Sequence, residues 1–433
     1  VSASGGGGAV KVLPHRQHRS TSISKTVAVT GGCASTRLCA PTLAPEHAAG
    51  QTAGAGARCA LKAPQLYSLA QAFRHVPDPR ARDGRPYPLW AILTVLALGL
   101  LLGRVHLSEI FRDGQRLSQF QRQRIGFRQR RGSRFVPTPC YNVYRTVLCR
   151  LDLNALAQVL TDWLSAHRGH LPATLAYDGK TIRDRLGLIV TLLDVEEGVP
   201  LAVAAEPRGK GHEMTCARQL LHSVPLENVT VIADSLHTNA ENAHTIVSEK
   251  GGDYIAALKD NQPILHALAP QRLDGTHPPF VHCEPASGFV HERAARVVSI
   301  EPDAAAYPHA AQLVSLQRQR THKRSGATQN GTRYFVTSRR PSESGPTRLA
   351  EQIRGYWGVE NKVHWRRGLQ GGEDQCRLRD AHSACALALL RTALLALARY
   401  RGYDCLKAAQ EEYAHRPQRA LSCIRFQRLT RKE

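Results

Sequence analysis

The chain predicts an α/β fold of the α+β kind: a mixed sheet with helices on its faces, preceded by a helical region. Three observations carry this. Short apolar, β-like runs crowd the middle of the chain. The first three form a meander and the rest alternate with helical periodicity. Helical spacing dominates both flanks.

Residues 1–60 are rich in Gly, Ala, Ser and Thr, with one acid, Glu46, and predict a disordered or low-complexity leader. The single Met is Met214, so Val1 does not mark a conventional start. Residues 61–170 predict a basic, helical, DNA-binding or associated domain. Leu66, Leu69 and Phe73 recur at helical spacing, and a turn-rich stretch from Pro77 to Arg85 follows. Leu89 to Leu102 is uncharged and apolar, but shorter than the roughly 20 residues a bilayer requires. It predicts a buried helix started by Pro88 and closed by Gly103. From Phe111 to Arg134 there are eight Arg and one Asp, interleaved with Phe111, Phe120 and Phe127. Such a run suits phosphate contacts and stacking, with Arg128, Arg130 and Arg131 as the contacts; the alternative is a solvated surface loop. Helices follow at Tyr141–Leu151 and Leu153–His167.

Residues 171–400 predict the sheet. Strands are expected at Thr174–Asp178, Leu186–Val195 and Pro200–Ala205, the last two joined by the turn Glu196-Glu197-Gly198. Then come helix Glu213–Val224, strand Val229–Ala233, helix His237–Lys250, strand Asp253–Leu258 and a helix from Gln262. This order matches an RNase H-like core, while periodicity alone leaves a flavodoxin-like sheet open. Residues 271–345 are irregular and predict a β-rich insertion, with runs at Arg296–Ile300, Ala311–Leu316 and Arg333–Thr337. Helical pattern returns at Leu349–Trp365 and Ala381–Arg399, and residues 401–433 read as a basic tail.

A net charge of +23, from 58 Lys+Arg against 35 Asp+Glu, points to a polyanionic partner and disfavours a flavodoxin-like small-molecule binder. Eleven scattered Cys, without Cys-x-x-Cys or zinc-finger spacing, predict reduced thiols in a cytoplasmic, nucleoid-associated protein away from membranes. Asp178 and Asp234 each end an apolar run, so two strands deliver two carboxylates to one sheet rim, where both can hold divalent metal. A third carboxylate is sought in the segment Arg354 to Trp365, where Glu360 shares a helical face with Tyr356 and Val363; Arg354 and Lys362 are placed to meet phosphates. The alternative for a lone helical Glu is a solvent-facing charge.

The chain resembles the DDE transposases of bacterial insertion sequences, of the ISAs type. The matching segments run in order over residues 65 to 400. They are Phe73-Arg74-His75-Val76-Pro77-Asp78-Pro79-Arg80, Tyr177-Asp178-Gly179-Lys180-Thr181-Ile182-Arg183, Lys210-Gly211-His212-Glu213, Asp234-Ser235-Leu236-His237-Thr238, Gly251-Gly252-Asp253-Tyr254, Leu258-Lys259-Asp260-Asn261-Gln262-Pro263, Tyr356-Trp357-Gly358-Val359-Glu360-Asn361, His364-Trp365 and Glu373-Asp374. The resemblance implies that Asp178, Asp234 and Glu360 are the catalytic triad, holding two Mg²⁺ or Mn²⁺ ions. It further implies double-stranded DNA as partner, at element ends and target, and a homodimer on paired ends. Lys180, Arg183, His237, Lys259, Asn261 and Gln262 are then placed against DNA. For Asn261 the alternative is a helix cap, shared with Asp260, and for His237 a surface residue. Lys180 can instead pair with carboxylates. Glu373 and Asp374 are either auxiliary metal ligands or a solvent-facing pair. The segment Arg366 to Gly372 departs from the family, with Gly368 where an Asp is usual. An inactivated copy that only binds DNA, or an RNase H-like nuclease without strand transfer, therefore stands beside the transposase.

Overall fold

The computed structural model describes residues 68–81, 86–275, 280–286, 288–301, 306–359 and 372–425. The leader, Glu360, Lys362 and the segment 366–371 lie outside them, as does Leu66.

The helical region begins with α1 (Leu69–Ala72), capped by Ser68 and Gln71 in a capping box, followed by a 3₁₀ turn at Phe73–His75. The apolar stretch is α2 (Leu89–Leu101), with Pro88 as N-cap and nearly every residue buried, as its all-round hydrophobicity demands. Helices α3 (Leu107–Arg116), α4 (Gln119–Ile125), α5 (Tyr141–Arg150) and α6 (Leu153–Arg168) follow. Gly126 closes α4 at φ 108°, and a Cβ there would lie 2.0 Å from the Trp90 ring. Both demands are met only by glycine.

The sheet begins with the antiparallel meander β1 (Thr174–Ile182), β2 (Gly187–Asp194) and β3 (Pro200–Glu206). After α7 (Glu213–Ser223) come β4 (Thr230–Ala233), α8 (Ala240–His244) with a π turn at Thr245–Glu249, and β5 (Asp253–Leu258). β4 runs parallel to both β1 and β5. The order β3-β2-β1-β4-β5 is the RNase H-like arrangement expected from the element order. β2 is buried along its whole length, because helices cover both its faces.

The expected insertion is more regular than its sequence suggests. After α9 (Pro263–Leu273) come β6 (Phe280–Ala286), β7 (Phe289–Ser299), β8 (Gln312–His322) and β9 (Thr328–Thr337). β9 pairs with β5, so these strands extend the main sheet to the order β3-β2-β1-β4-β5-β9-β8-β7-β6. The apolar inner halves of β8 and β9 join the core, and polar outer halves project beyond it.

α10 (Pro346–Val359) and α11 (Ala381–Tyr400) cover one face of the sheet, where Ala176, Ile232, Ile255 and Phe335 meet Leu349, Ile353 and the apolar length of α11. α11 has the length and apolarity of a membrane span, but 89% of its window is buried inside the protein, which identifies a core helix here. On the other face, α7 and α9 pack Leu220, Leu221, Leu265 and Ala269 against Leu175, Tyr177 and Val231.

The basic tail expected after residue 400 is folded as far as Arg425. α12 (Leu406–Ala414) and α13 (Pro417–Arg425) bury Leu406, Ala409, Tyr413, Leu421 and Ile424 in the core shared with α1 and α2. Their apolar residues recur three or four apart and need a partner face.

Candidate active site

β1 and β4 pair in parallel with Ala176 opposite Ile232. Asp178 lies two residues beyond Ala176, and Asp234 two beyond Ile232. Continuing that register puts the two aspartates level on neighbouring strands, which lie about 4.8 Å apart in any sheet. Asp234 follows the end of β4, whereas β1 runs on to Ile182, so Asp178 lies inside its strand and not at the end expected of it. The third expected member, Glu360, is outside the described residues. The described part of α10 ends at Val359. Gln352 of α10 donates to Thr174 Oγ1 (2.9 Å), which seats the helix over the start of β1.

Asp234 caps the 3₁₀ turn Ser235–His237, its Oδ1 accepting from His237 N at 3.2 Å. A dense set of hydrogen bonds fixes this turn. Thr238 Oγ1 donates to Asp234 O (3.0 Å) and Ala257 O (2.8 Å), tying the end of β4 to β5. Asn261 Nδ2 donates to Ser235 O (2.6 Å) and Thr238 O (3.1 Å), and Gln262 Nε2 donates to Thr238 O (2.9 Å). Asn242 Nδ2 donates to His237 O (3.0 Å) and Tyr177 Oη (3.3 Å). Burial, then the nearby Asp234 carboxylate, pushes the Tyr177 phenol well above its ordinary pKa, so it stays neutral.

Several expected roles change. His237 is neither a surface residue nor placed to touch DNA. Its side chain is fully buried, with Nε2 3.4 Å from Glu213 Oε1 and its ring edge-on to Tyr177 at 4.6 Å. Neither Asp260 nor Asn261 caps α9; Gln262 holds the N-cap position without a side-chain cap bond, and Pro263 occupies the first turn. Asn261 and Gln262 instead serve the Asp234 turn. Lys180 pairs with carboxylates outside the expected triad, with Nζ 3.5 Å from Glu373 Oε1 and 3.3 Å from Asp374 Oδ1. The Glu373 side chain is 1% exposed, which excludes a solvent-facing acidic pair. Arg183 faces a small internal cavity that it shares with Glu373 and Arg391. Lys259, Arg354, Arg128, Arg130 and Arg131 are exposed. In the Arg-rich run, Arg122 is structural, donating to Val136 O (3.0 Å) and Gln115 O (2.7 Å). Phe127 is buried, whereas Phe120 is outward-facing at 63% exposure.

Residues to which the sequence assigned no role complete the site. Glu213, at the start of α7, is 3% exposed although acidic. A Cβ on Gly179 would lie 2.3 Å from Glu213 Oε1, so the carboxylate fills the space a side chain beside Asp178 would take. The second is the ribbon β7–β9. Leu258 pairs with Tyr334, and beyond that rung β8 and β9 continue from Leu316–Arg333 to Thr321–Thr328. These six rungs overhang the ends of β4 and β5 by about 20 Å. Arg293 is paired with Arg318, and His291 with Arg320. Desolvation and the charges of Arg318, Arg293 and Arg320 hold His291 below the ordinary imidazole value. Only Arg293 and Arg318 face each other as like charges, a pairing that is unfavourable by itself.

The donor chemistry at the edge fits a hard divalent ion. Asp234 offers carboxylate oxygen, partly exposed at the rim, and its carboxylate is already oriented by a backbone N–H. Among the described residues no group of three His, Cys, Asp or Glu could hold an ion. All eight described Cys are free thiols.

Comparison with known proteins follows the same lines. The family described as DDE_Tnp_1-associated matches residues 70–164, and the Transposase DDE domain matches residues 165–397. The chain is 28% identical over 225 residues to an "Uncharacterized protein in dhlA 3'region" of Xanthobacter autotrophicus, covering 49% of this chain and 70% of that protein. It is 21% identical over 341 residues to the "H repeat-associated putative transposase YhhI" of Escherichia coli, covering 74% and 87%. A piggyBac transposase synaptic complex with hairpin DNA aligns over 86% of this chain and 82% of its own, at 11% identity and TM-score 0.41. Since the Transposase DDE domain spans more than half of the sequence, the chain belongs to the DDE transposase family.

Proposed function

We propose that this chain is the transposase of an insertion sequence. It binds the terminal inverted repeats of its element as double-stranded DNA, hydrolyses a strand at each end, and joins the freed 3′-hydroxyl to target DNA. The observation that carries this reading is the common register of Asp178 and Asp234, at the edge that the arginine-bearing ribbon overhangs.

Asp178, Asp234 and Glu360 hold a pair of Mg²⁺ or Mn²⁺ ions in this reading. Bound there, the ions supply Lewis acidity for the attacking and leaving oxygens. The protein's own part is positioning: the paired strands set the spacing, and the Thr238, Asn261 and Gln262 hydrogen bonds keep Asp234 still. Arg318 and Arg320 on the ribbon, with Lys259, Arg354, Lys362 and the exposed Arg128, Arg130 and Arg131, bind phosphates. Two copies act together on paired ends.

The test combines purified protein, element-end duplex, target plasmid and Mg²⁺. Cleavage followed by joining is expected. Asp178→Asn or Glu360→Gln should abolish both while duplex affinity persists, and cleavage retained in either variant overturns the assignment. Cleavage without joining would identify a nuclease, and binding without cleavage an inactivated copy. Arg318→Ala with Arg320→Ala should reduce the slope of log affinity against log salt by about 2.

A further inference from the structure

The Glu213–His237 pair lies outside the triad yet touches its supports. Glu213 Oε2 is buried without a hydrogen-bond partner, and so is His237 Nδ1. A buried carboxylate with one long contact at 3.4 Å costs stability, and natural cores seldom keep such a group without a use. The aliphatic alternative, a Leu or Met of similar volume, would pack against Tyr177 at no such cost.

Geometry separates two uses. Gly179 and Tyr177 belong to the alternate residues of β1 that face α7, and Glu213 and His237 lie on that side. Thr174 and Ala176 face α10 and α11. Glu213 thus approaches the strand ends from behind, which suits a supporting group better than an ion ligand. Its route to the rim is short: Glu213 Oε1 meets the His237 ring, and the His237 backbone N–H meets Asp234 Oδ1.

We infer that Glu213 and His237 form a buried positioning pair that sets the orientation of the Asp234 carboxylate for a divalent cation. The inference rests on the proposed function above. Carboxylates and imidazoles behind a metal ligand raise affinity for the ion by orienting that ligand, and their removal typically costs 10–100-fold.

The test uses the full chain without DNA and the electron paramagnetic resonance signal of free Mn²⁺ as probe. Glu213→Gln should raise the Mn²⁺ midpoint at least about 10-fold. Its thermal midpoint should not fall and its duplex affinity should stay that of the parent, and in end cleavage the Mg²⁺ requirement should rise more than the saturated rate falls. A purely structural Glu213 would lower the thermal midpoint and leave the Mn²⁺ titration alone. Should Glu213→Gln fail to fold, His237→Gln and His237→Leu decide: the amide can still donate to Glu213 and should stay near the parent, while the leucine should match the 10-fold loss. Equal Mn²⁺ midpoints in parent and variants overturn the inference. Asp178→Asn separates the two levels. If it loses Mn²⁺ while Glu213→Gln does not, only the positioning pair fails; if it too is unchanged, the proposed function fails.

Discussion

Replacing Lys180 by Met asks whether this cation serves the fold or the DNA. Its ammonium lies 3.5 Å from a Glu373 carboxylate that is 1% exposed and 3.3 Å from an Asp374 that is 36% exposed. At an effective dielectric of about 20, a unit pair at 3.5 Å attracts by roughly 5 kcal/mol before desolvation is counted. The Asp374 contact faces water and adds about 0–1 kcal/mol. Removing one partner of a buried pair leaves the other charge uncompensated, at about 3–5 kcal/mol. Arg183 and Arg391 line the cavity beside Glu373, and their charge offsets part of that loss. We therefore expect about 2–4 kcal/mol for Lys180→Met, read by urea denaturation at neutral pH. Glu373→Gln in the same chain removes the second charge of the pair, so the double variant should be more stable than the sum of the single losses predicts, by about 1–3 kcal/mol. Stability unchanged within about 0.5 kcal/mol, with a shallower salt dependence of DNA binding, would refute the tether and return Lys180 to phosphate contact.

Two further expectations concern buried titrating groups. Arg168 reaches Asp194 at 2.5 Å and Glu197 at 2.7 Å, at the turn between β2 and β3. Desolvation raises the Asp194 pKa and Arg168 opposes it, so Arg168→Ala should cost about 3–5 kcal/mol at pH 7. That deficit should shrink as pH falls and Asp194 takes up a proton in the folded variant; a deficit constant from pH 7 to pH 4 contradicts the assignment. Burial also pushes the thiols of Cys385 and Cys216 up to about 12 and about 11, while Cys140, Cys149 and Cys283 are exposed. An alkylating reagent should modify the exposed three in the native protein and reach Cys385 and Cys216 only on unfolding. Because an unfolded thiol ionises near 9, the stability tied to Cys385 is complete below that pH and is lost as pH climbs towards 12, a slope that Cys385→Ala should flatten.

The RNase H-like core was legible because its strands are apolar on both faces and end at turn signals. Thr174, Pro200 and Asp253 begin strands where the alternation places them. Of the ribbon, the apolar inner runs at Arg296–Ile300, Ala311–Leu316 and Arg333–Thr337 were legible, but the outer part was not, because Thr328-Gln-Asn-Gly-Thr332 has no apolar face and owes its strand to cross-strand pairing. The helix expected from His237 to Lys250 breaks into three pieces, since Asp234 and Asn239 each cap a new start. Leu406, Ala409 and Tyr413 carried a helical signal obscured by the surrounding charge. In the site, an aspartate closing an apolar run is a local pattern that a sequence displays, and it marks the end of β4 at Asp234, while β1 runs on past Asp178 to Ile182 because β2 continues to pair with it. Glu213 is no such pattern, because an acid at the first turn of a helix normally faces water, and only the fold reveals that Gly179 leaves it a place inside.

The packing of α12 and α13 against α2 has a consequence for how this protein can be made. Helices synthesised after the sheet cover apolar surface laid down before it. Until Ile424 has left the ribosome, α2 lacks part of its cover, so nascent chains wait with a greasy flank exposed, and premature termination yields a sticky product instead of a smaller working one.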